Sequence, residues 1–104
     1  MRVLTGHDGS SIRLSEERLA HILEHPEMEG LSKAIGLTIR RPELIVRSSS
    51  DAQARLYYRY HRETLVGDKY LCVVVKLARE DAFVVTAYLT DRIKRGLRLW
   101  PPST

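Results

Sequence analysis

The second half of the sequence consists almost entirely of β-branched and aromatic segments separated by short polar breaks, and this pattern constrains the fold most. The segments are residues 43–47, 54–61, 69–77 and 82–89. Because the breaks leave room for little more than turns, consecutive segments are expected to pair as antiparallel strands. The third segment is nearly all apolar, which predicts that it lies at the centre of the sheet.

The first half has a different pattern. Two short apolar runs, residues 2–5 and 12–14, flank a turn at residues 6–9, which is typical of a β-hairpin. Ser15 then fits a helix N-cap, with acidic residues following it where the helix dipole favours them. The spacing of the next apolar residues predicts a helix over about residues 16–24.

A second amphipathic helix is predicted around Leu31, Ala34, Ile35 and Ile39, ending before Pro42. Residues 97–100 are a candidate edge strand. The predicted fold class is therefore α+β, with an N-terminal hairpin and two helices packed on one face of a four-stranded antiparallel meander sheet. A chain of 104 residues has the length of one domain, so residues 1–104 are expected to form a single unit.

Composition excludes several classes of protein. The longest uncharged apolar run, residues 70–75, is far shorter than the roughly 20 residues that span a bilayer, so no membrane association is expected. The single Cys72 excludes an internal disulfide and a cysteine-based zinc site. A reducing, cytoplasmic location is therefore expected.

Charge points to a class of partner. The formal net charge is +4, and residues 53–104 carry ten Lys and Arg against five Asp and Glu. Most of the basic residues are Arg, whose planar fork of donors matches phosphate oxygens. Nucleic acid is the first partner to consider, although a solvated basic surface has the same composition.

Two histidines lie one helical turn apart. His21 and His25 share a face of the predicted first helix with Arg18, away from the apolar stripe. Imidazole is the side chain suited to proton transfer near neutral pH. Two surface histidines, one of them near the helix C-terminus, are the alternative. The spacing also fits a metal, with Glu27 nearby, but no third ligand suggests itself, so neither metal nor cofactor is predicted.

Polar residues also stand in otherwise apolar strands. Lys76 ends a run of valines, and Thr86 and Tyr88 share one face of the following strand. The three share a face if residue 76 pairs with residue 84, and do not if it pairs with residue 83. The alternative is that Lys76 extends its ammonium group to water and Tyr88 is an aromatic residue at the edge of the core.

Basic and aromatic residues alternate in the segment 54–61. Arg55, Tyr57, Arg59 and His61 fall on one face, a pattern that suits phosphate contacts and base stacking. A half-exposed edge strand would show the same alternation. The later turn, with Lys94 and Arg95, is a further candidate phosphate contact, and plain surface is the alternative there too.

Several short motifs occur in a characteristic order. They are Arg18-Leu19-Ala20-His21-Ile22, His25-Pro26-Glu27, Arg41-Pro42-Glu43, Tyr57-Tyr58-Arg59, the runs from Tyr70 to Lys76 and from Phe83 to Tyr88, and Lys94-Arg95-Gly96 before Trp100. In this order the chain resembles the small phage- and toxin-associated nucleases of the barnase/EndoU/colicin/RelE superfamily (the BECR fold). The resemblance covers nearly the whole chain.

The resemblance implies a metal-independent endoribonuclease of toxin type, in which a ribose 2′-hydroxyl attacks the adjacent phosphorus. It implies an acid/base role for His21, with His25 as second choice, and charge stabilisation by Lys76. Thr86 and Tyr88 would orient the phosphate or relay a proton. Phosphate and RNA binding would fall to Arg55, Tyr57, Arg59, Lys94 and Arg95.

RNA and a cognate acidic inhibitor, of the antitoxin kind, are the partners that follow from this resemblance, for a chain expected to be a monomer or a weak dimer. A non-catalytic module that binds RNA or protein through the same fold is the alternative. A third possibility is a structural or regulatory domain that associates through its strand edge. Tight, salt-sensitive binding without turnover would mark the binding module.

Overall fold

The computed structural model describes residues 1–102, and within them two α-helices and seven strands are present. The helices are α1 (Glu16–Leu23) and α2 (Ser32–Arg40), with a short 3-10 helix at Pro26–Met28 between them. The strands are β1 (Arg2–Thr5), β2 (Ser11–Leu14), β3 (Leu44–Ser48), β4 (Ala54–Thr64), β5 (Gly67–Ala78), β6 (Asp81–Thr90) and β7 (Gly96–Trp100). The last two residues of the predicted domain 1–104 lie outside the described residues.

The predicted four-stranded antiparallel meander is wrong. All seven strands belong to one mixed sheet in the order β1-β2-β6-β5-β4-β3-β7. The hairpin joins the sheet through one parallel pairing of β2 with β6, where Arg13 lies opposite Phe83. The C-terminal segment pairs antiparallel with β3. Both additions pair residues more than 45 positions apart in the chain, which patterns of neighbouring residues cannot reveal.

The sequence predicted the local structure better than the pairing of the strands. The hydroxyl of Ser15 accepts a hydrogen bond from the Arg18 amide at 3.0 Å, as expected for the N-cap of α1. Strand β5 lies in the middle of the sheet order, as its apolar sequence predicts. Of the described helices, none is long and apolar enough to cross a membrane.

The main core lies between the helices and one face of the sheet, called the helix face below. Leu19 and Ile22 of α1 and Ile35 and Ile39 of α2 are buried there. They pack against strand residues that include Leu71, Val73 and Val75 of β5. Removal of this apolar surface from water is the main stabilising contribution to the fold.

The opposite face carries a smaller core, and neither α1 nor α2 packs on it. Leu56, Tyr58, Cys72 and Val46 are buried there. Residues 91–95, called the strap, connect β6 to β7 and pass over this face, where the Lys94 amide donates a hydrogen bond to Tyr58 Oη at 3.0 Å. We call this the strap face. The strap lets the chain cross from β6 to the far edge of the sheet.

A β-bulge decides which residues of β6 share a face with β5. Lys76 pairs with Phe83. In this register, regular alternation along both strands would place Lys76 on the opposite face from Thr86 and Tyr88. The register shifts at Val85, so that Val74 lies opposite Thr86 and Cys72 opposite Tyr88. The extra residue reverses the alternation. Lys76, Thr86 and Tyr88 therefore all lie on the strap face.

Candidate functional site

The two histidines of the first helix are on the surface and close to carboxylates. His21 Nδ1 lies 3.3 Å from Glu24 Oε2, and His25 Nδ1 lies 4.0 Å from Glu27 Oε1. Both imidazoles are more than half exposed. An open groove beside α1 is lined by Ser15, Arg18 and His21, among others. The one histidine that lines this groove already has an acidic neighbour.

The other predicted catalytic residues lie across the sheet. Lys76 Nζ is 3.3 Å from Asp51 Oδ2, and this contact contributes to a lowered pKa of Asp51, second to the hydrogen bond from the Gln53 amide. Tyr88 Oη is buried without a hydrogen-bond partner among residues 1–102. Burial raises the pKa of Tyr88, so its phenol keeps its proton at neutral pH.

The sheet separates these two groups of predicted residues. Helix α1 packs on the helix face, whereas Lys76, Thr86 and Tyr88 lie on the strap face. The structure therefore does not bring His21 or His25 together with Lys76, Thr86 and Tyr88. An active site made from the whole set would need groups from both sides of the sheet.

The predicted phosphate-binding residues are also divided. Lys94 and Arg95 belong to the strap, and Lys94 Nζ lies 5.7 Å from the centre of the Tyr88 ring. Arg55, Tyr57 and Arg59 lie on the helix face of β4, which is an inner strand of the sheet rather than an edge strand. These two groups therefore cannot form one continuous binding surface.

The far end of that β4 face is occupied by contacts with α2 and the chain that follows it. Arg59 Nη1 donates a hydrogen bond to the Arg41 carbonyl at 2.7 Å. His61 Nε2 lies 3.5 Å from Thr38 Oγ1. Burial lowers the pKa of His61, and the charge of Arg59 adds to this effect. Arg59 and His61 therefore support the fold, while Arg55 and Tyr57 lie at the other end of the strand.

A cavity of about 220 Å³ brings Arg55 and Tyr57 together with the β1–β2 turn. We call it the turn pocket. Its polar lining comes from His7, Asp8, Ser10, Arg55 and Tyr57, and its apolar lining from Ile45, Leu77 and Leu99. A pocket with a few converging polar groups on apolar walls is the usual form of a small-ligand or active site.

His7 is held in this pocket by aromatic contacts. Its ring centre lies 5.1 Å from that of Trp100 and 6.4 Å from that of Tyr57. The turn and β7 belong to opposite ends of the strand order, so the sheet curls until its two ends meet at His7. Within residues 1–102, neither ring nitrogen of His7 has a hydrogen-bonding or ion-pair partner, unlike those of His21, His25 and His61.

The neighbouring groups differ in how firmly they are held. Asp8 Oδ1 accepts hydrogen bonds from the hydroxyl and the amide of Ser10, which lower the pKa of Asp8, and the charge of His7 lowers it further. Burial raises the pKa of Tyr57, and the carboxylate of Asp8 raises it further. At neutral pH the pocket therefore holds an ionised carboxylate and a protonated phenol.

Arg55 supplies the positive charge. Its Nη1 donates to the Ala52 carbonyl at 2.7 Å and to the Ala54 carbonyl at 3.3 Å. These bonds fix the guanidinium, while Nε and Nη2 have no partner among residues 1–102. A fixed guanidinium with free donors can bind a phosphate without further ordering of the side chain.

Sequence reasoning missed His7 and Asp8 because both fit the turn of the predicted hairpin. The only signal that marks them is chemical: an imidazole and a carboxylate occur in an exposed turn, where functional residues are frequent. Their distance in sequence from Arg55 and Trp100 hides the rest of the site. Together, the side chains that line the turn pocket can exchange a proton, hold an anion and donate a hydrogen bond.

Across residues 1–102, no group of three or more His, Cys, Asp or Glu side chains is placed to hold a metal ion.

Comparison with known proteins adds no relative. No protein-family model, no curated protein and no solved structure matches this chain.

Proposed function

We propose that this protein cleaves RNA in the turn pocket, by attack of a ribose 2′-hydroxyl on the adjacent phosphorus. The observation that carries the proposal is the position of His7. Its ring is fixed between Trp100 and Tyr57, its nitrogens have no protein partner within residues 1–102, and the fixed guanidinium of Arg55 lines the same cavity. The resemblance of the sequence to toxin-type nucleases supplies the reaction class, and the pocket supplies a site for it.

The proposed reaction has two coupled proton transfers. Neutral His7 accepts the proton of the 2′-hydroxyl while the 2′-oxygen forms its bond to phosphorus. The bond from phosphorus to the 5′-oxygen then breaks, and the imidazolium returns the proton to that oxygen. The products are a 2′,3′-cyclic phosphate and a free 5′-hydroxyl. The reaction needs no co-reactant, and His7 ends in its starting state.

Arg55 and Tyr57 would stabilise the charge that develops on the phosphate. The free Nε and Nη2 donors of Arg55 bind the non-bridging oxygens, which gain negative charge in the transition state. Tyr57 keeps its proton because its pKa is raised, so it donates a hydrogen bond to the same group.

The positive charge of the strap and β7 would attract the polyanionic substrate at long range, without forming part of the pocket surface. Arg92, Lys94, Arg95 and Arg98 all lie between β6 and Trp100, and no acidic residue follows Asp91. Such a concentration of one charge raises the rate at which a chain of opposite charge associates, and it makes binding weaker at high salt.

The test is cleavage of transfer RNA and total cellular RNA in EDTA, followed by denaturing electrophoresis and analysis of the product ends. We expect the wild-type protein to leave 2′,3′-cyclic phosphate ends. His7→Gln is expected to lower the rate by about 10²- to 10⁴-fold, and Arg55→Gln by about 10²- to 10³-fold. His21→Gln, another exposed histidine, is the matched control and keeps the wild-type rate. Circular dichroism checks that each variant folds.

Other outcomes identify the competing interpretations. Loss of cleavage in His21→Gln, His25→Gln or Lys76→Gln, with His7→Gln active, would move the site to the residues that the family resemblance implies. RNA binding without cleavage by a folded wild-type protein would favour the non-catalytic module. A cytoplasmic location and an acidic inhibitor stay predictions.

A further inference from the structure

The last strand of the sheet has a free edge. Strand β7 pairs with β3 on one side, and no strand of residues 1–102 pairs with its other side. All five residues from Gly96 to Trp100 are exposed. An edge strand of this kind presents backbone N–H and C=O groups that another extended chain can pair with.

The edge is fixed in position by close packing against β3. A Cβ atom on Gly96 would overlap the carbonyl oxygen of Arg47 and lie 2.5 Å from Val46 Cγ1, so the two strands approach more closely there than any side chain allows. Leu97 lies opposite Arg47 and Arg98 opposite Val46, and the register then shifts at Leu99, so that Trp100 lies opposite Ile45. A segment that adds to β7 therefore meets an ordered strand.

The side chains of β7 differ between its two faces. Leu97 lies opposite Arg47 on the helix face, and Arg98 lies opposite Val46 on the strap face. Leu97 is 54% exposed, and Leu99 and Trp100 are 36% and 38% exposed. A partner strand would thus meet exposed apolar side chains on one face and a cation on the other.

Positive charge predominates around this edge, because Asp91 of the strap pairs with Lys69. Arg92, Lys94, Arg95 and Arg98 have no carboxylate oxygen within 4.0 Å among residues 1–102, whereas Arg13, Lys69 and Lys76 are each paired with an aspartate. A partner with acidic side chains would supply the missing charge. Complementary charges of this kind increase the association rate and fix the register of pairing.

We propose that β7 binds an extended, acidic segment of a partner protein by strand addition. Its apolar side chains would lie beside Leu97 and Leu99, and its acidic side chains would alternate with them beside Arg98. This inference rests on the edge itself and does not depend on the proposed function. Because Leu99 lines the turn pocket and Trp100 contacts His7, a bound segment would lie next to the pocket.

The probe is a blocked synthetic peptide of alternating glutamate and valine, titrated into the full chain at low salt. Trp100 is the only tryptophan and belongs to β7, so its fluorescence reports binding directly. We expect a saturable change that weakens as salt is added. The same peptide with N-methylated backbone amides is the control, because it keeps every charge and loses the donors for strand pairing.

Charge reversal provides the second test. Arg98→Glu is expected to weaken binding of the glutamate peptide by about tenfold. A peptide of alternating lysine and valine is expected to bind Arg98→Glu better than the wild-type protein. Arg79→Glu, at the distant β5–β6 turn, is the matched variant and leaves binding unchanged. Retained Trp100 fluorescence in the free variants shows that β7 stays folded.

Four results would overturn the proposal. The first is no saturable binding at millimolar peptide, and the second is equal binding of the N-methylated peptide. The third is a wild-type protein that sediments as a dimer and is dissociated by Arg98→Glu. The fourth is RNA that changes Trp100 fluorescence while the peptide does not bind. The dimer would assign the edge to a second copy of the chain, and the RNA result would assign it to the nucleic acid. Failure of RNA cleavage would leave the peptide result unaffected.

Discussion

His7 and Trp100 pack ring against ring, with their centres 5.1 Å apart, although one lies in the first turn of the chain and the other in its last strand. The contact joins the two ends of the sheet order at His7, which lines the turn pocket. It also gives the pocket a built-in spectroscopic reporter, since the chain has no other tryptophan.

The first prediction uses this reporter. The His7 ring packs against the Trp100 ring and covers part of the indole. We expect His7→Ala to expose more of the indole, so that acrylamide quenches Trp100 fluorescence more strongly than in the wild-type protein. His25→Ala, which lies beyond the end of α1, is the control and leaves the quenching unchanged. Equal quenching in His7→Ala and in the wild-type protein would contradict the contact.

The second prediction compares two glycines. Gly96→Ala is expected to destabilise the protein by about 1–3 kcal/mol, because the new methyl group overlaps the Arg47 carbonyl and separates β7 from β3. Gly36→Ala in α2 is expected to stabilise it by about 0.5–1 kcal/mol, because the methyl group meets only Leu4 Cδ2 at 3.6 Å and glycine weakens helices. Urea unfolding measures both. Equal effects of the two substitutions would show that β7 is not closely packed.

The third prediction concerns the strap. Tyr58 is fully buried, and its Oη accepts the hydrogen bond of the Lys94 amide. Tyr58→Phe is expected to cost about 1 kcal/mol of unfolding free energy and to speed amide exchange in residues 91–95. Tyr60→Phe removes a hydroxyl from an exposed ring and serves as the control. Unchanged exchange of the Lys94 amide in Tyr58→Phe would mean that this bond does not hold the strap.

The fourth prediction concerns His61 and acid stability. Burial lowers its pKa in the folded protein, so the unfolded chain binds a proton first as the pH falls. Stability is therefore lost as the pH drops through the ordinary histidine value of about 6.5, and the loss ends below the folded pKa. His61→Gln should reduce the fall in unfolding free energy between pH 8 and pH 5. Exposed His25→Gln should not, and an equal reduction in both would remove His61 as the cause.

Much of the local structure could be predicted from the sequence, because it depends on residues a few positions apart. The Ser15 cap, helix α1 and the alternation of Arg55 and Tyr57 against Leu56 all follow from short-range rules. Lys76 and Thr86 share a face only because of the bulge at Val85. Such a bulge depends on how two strands fit together, and neither strand's sequence reveals it.

The candidate site was less predictable. The alternation in β4 marked Arg55 and Tyr57 as candidate binding residues. His7 and Asp8 lie in a turn for which the sequence predicts only a structural role, that of connecting the two strands of a hairpin. Nothing in the sequence near Gly6 indicates that the turn folds over Tyr57, because the contact depends on the curl of the whole sheet.

The sequence by itself determined which segments become helix or strand, the central place of β5 and the excess of positive charge in the second half. Tertiary structure alone decided that β2 lies parallel to β6, that β7 pairs with β3, and that His7 meets Trp100. The physical reason is range. Hydrogen-bonding periodicity and capping act over a few residues, whereas pairing between distant strands depends on which arrangement buries the apolar surface of the entire chain.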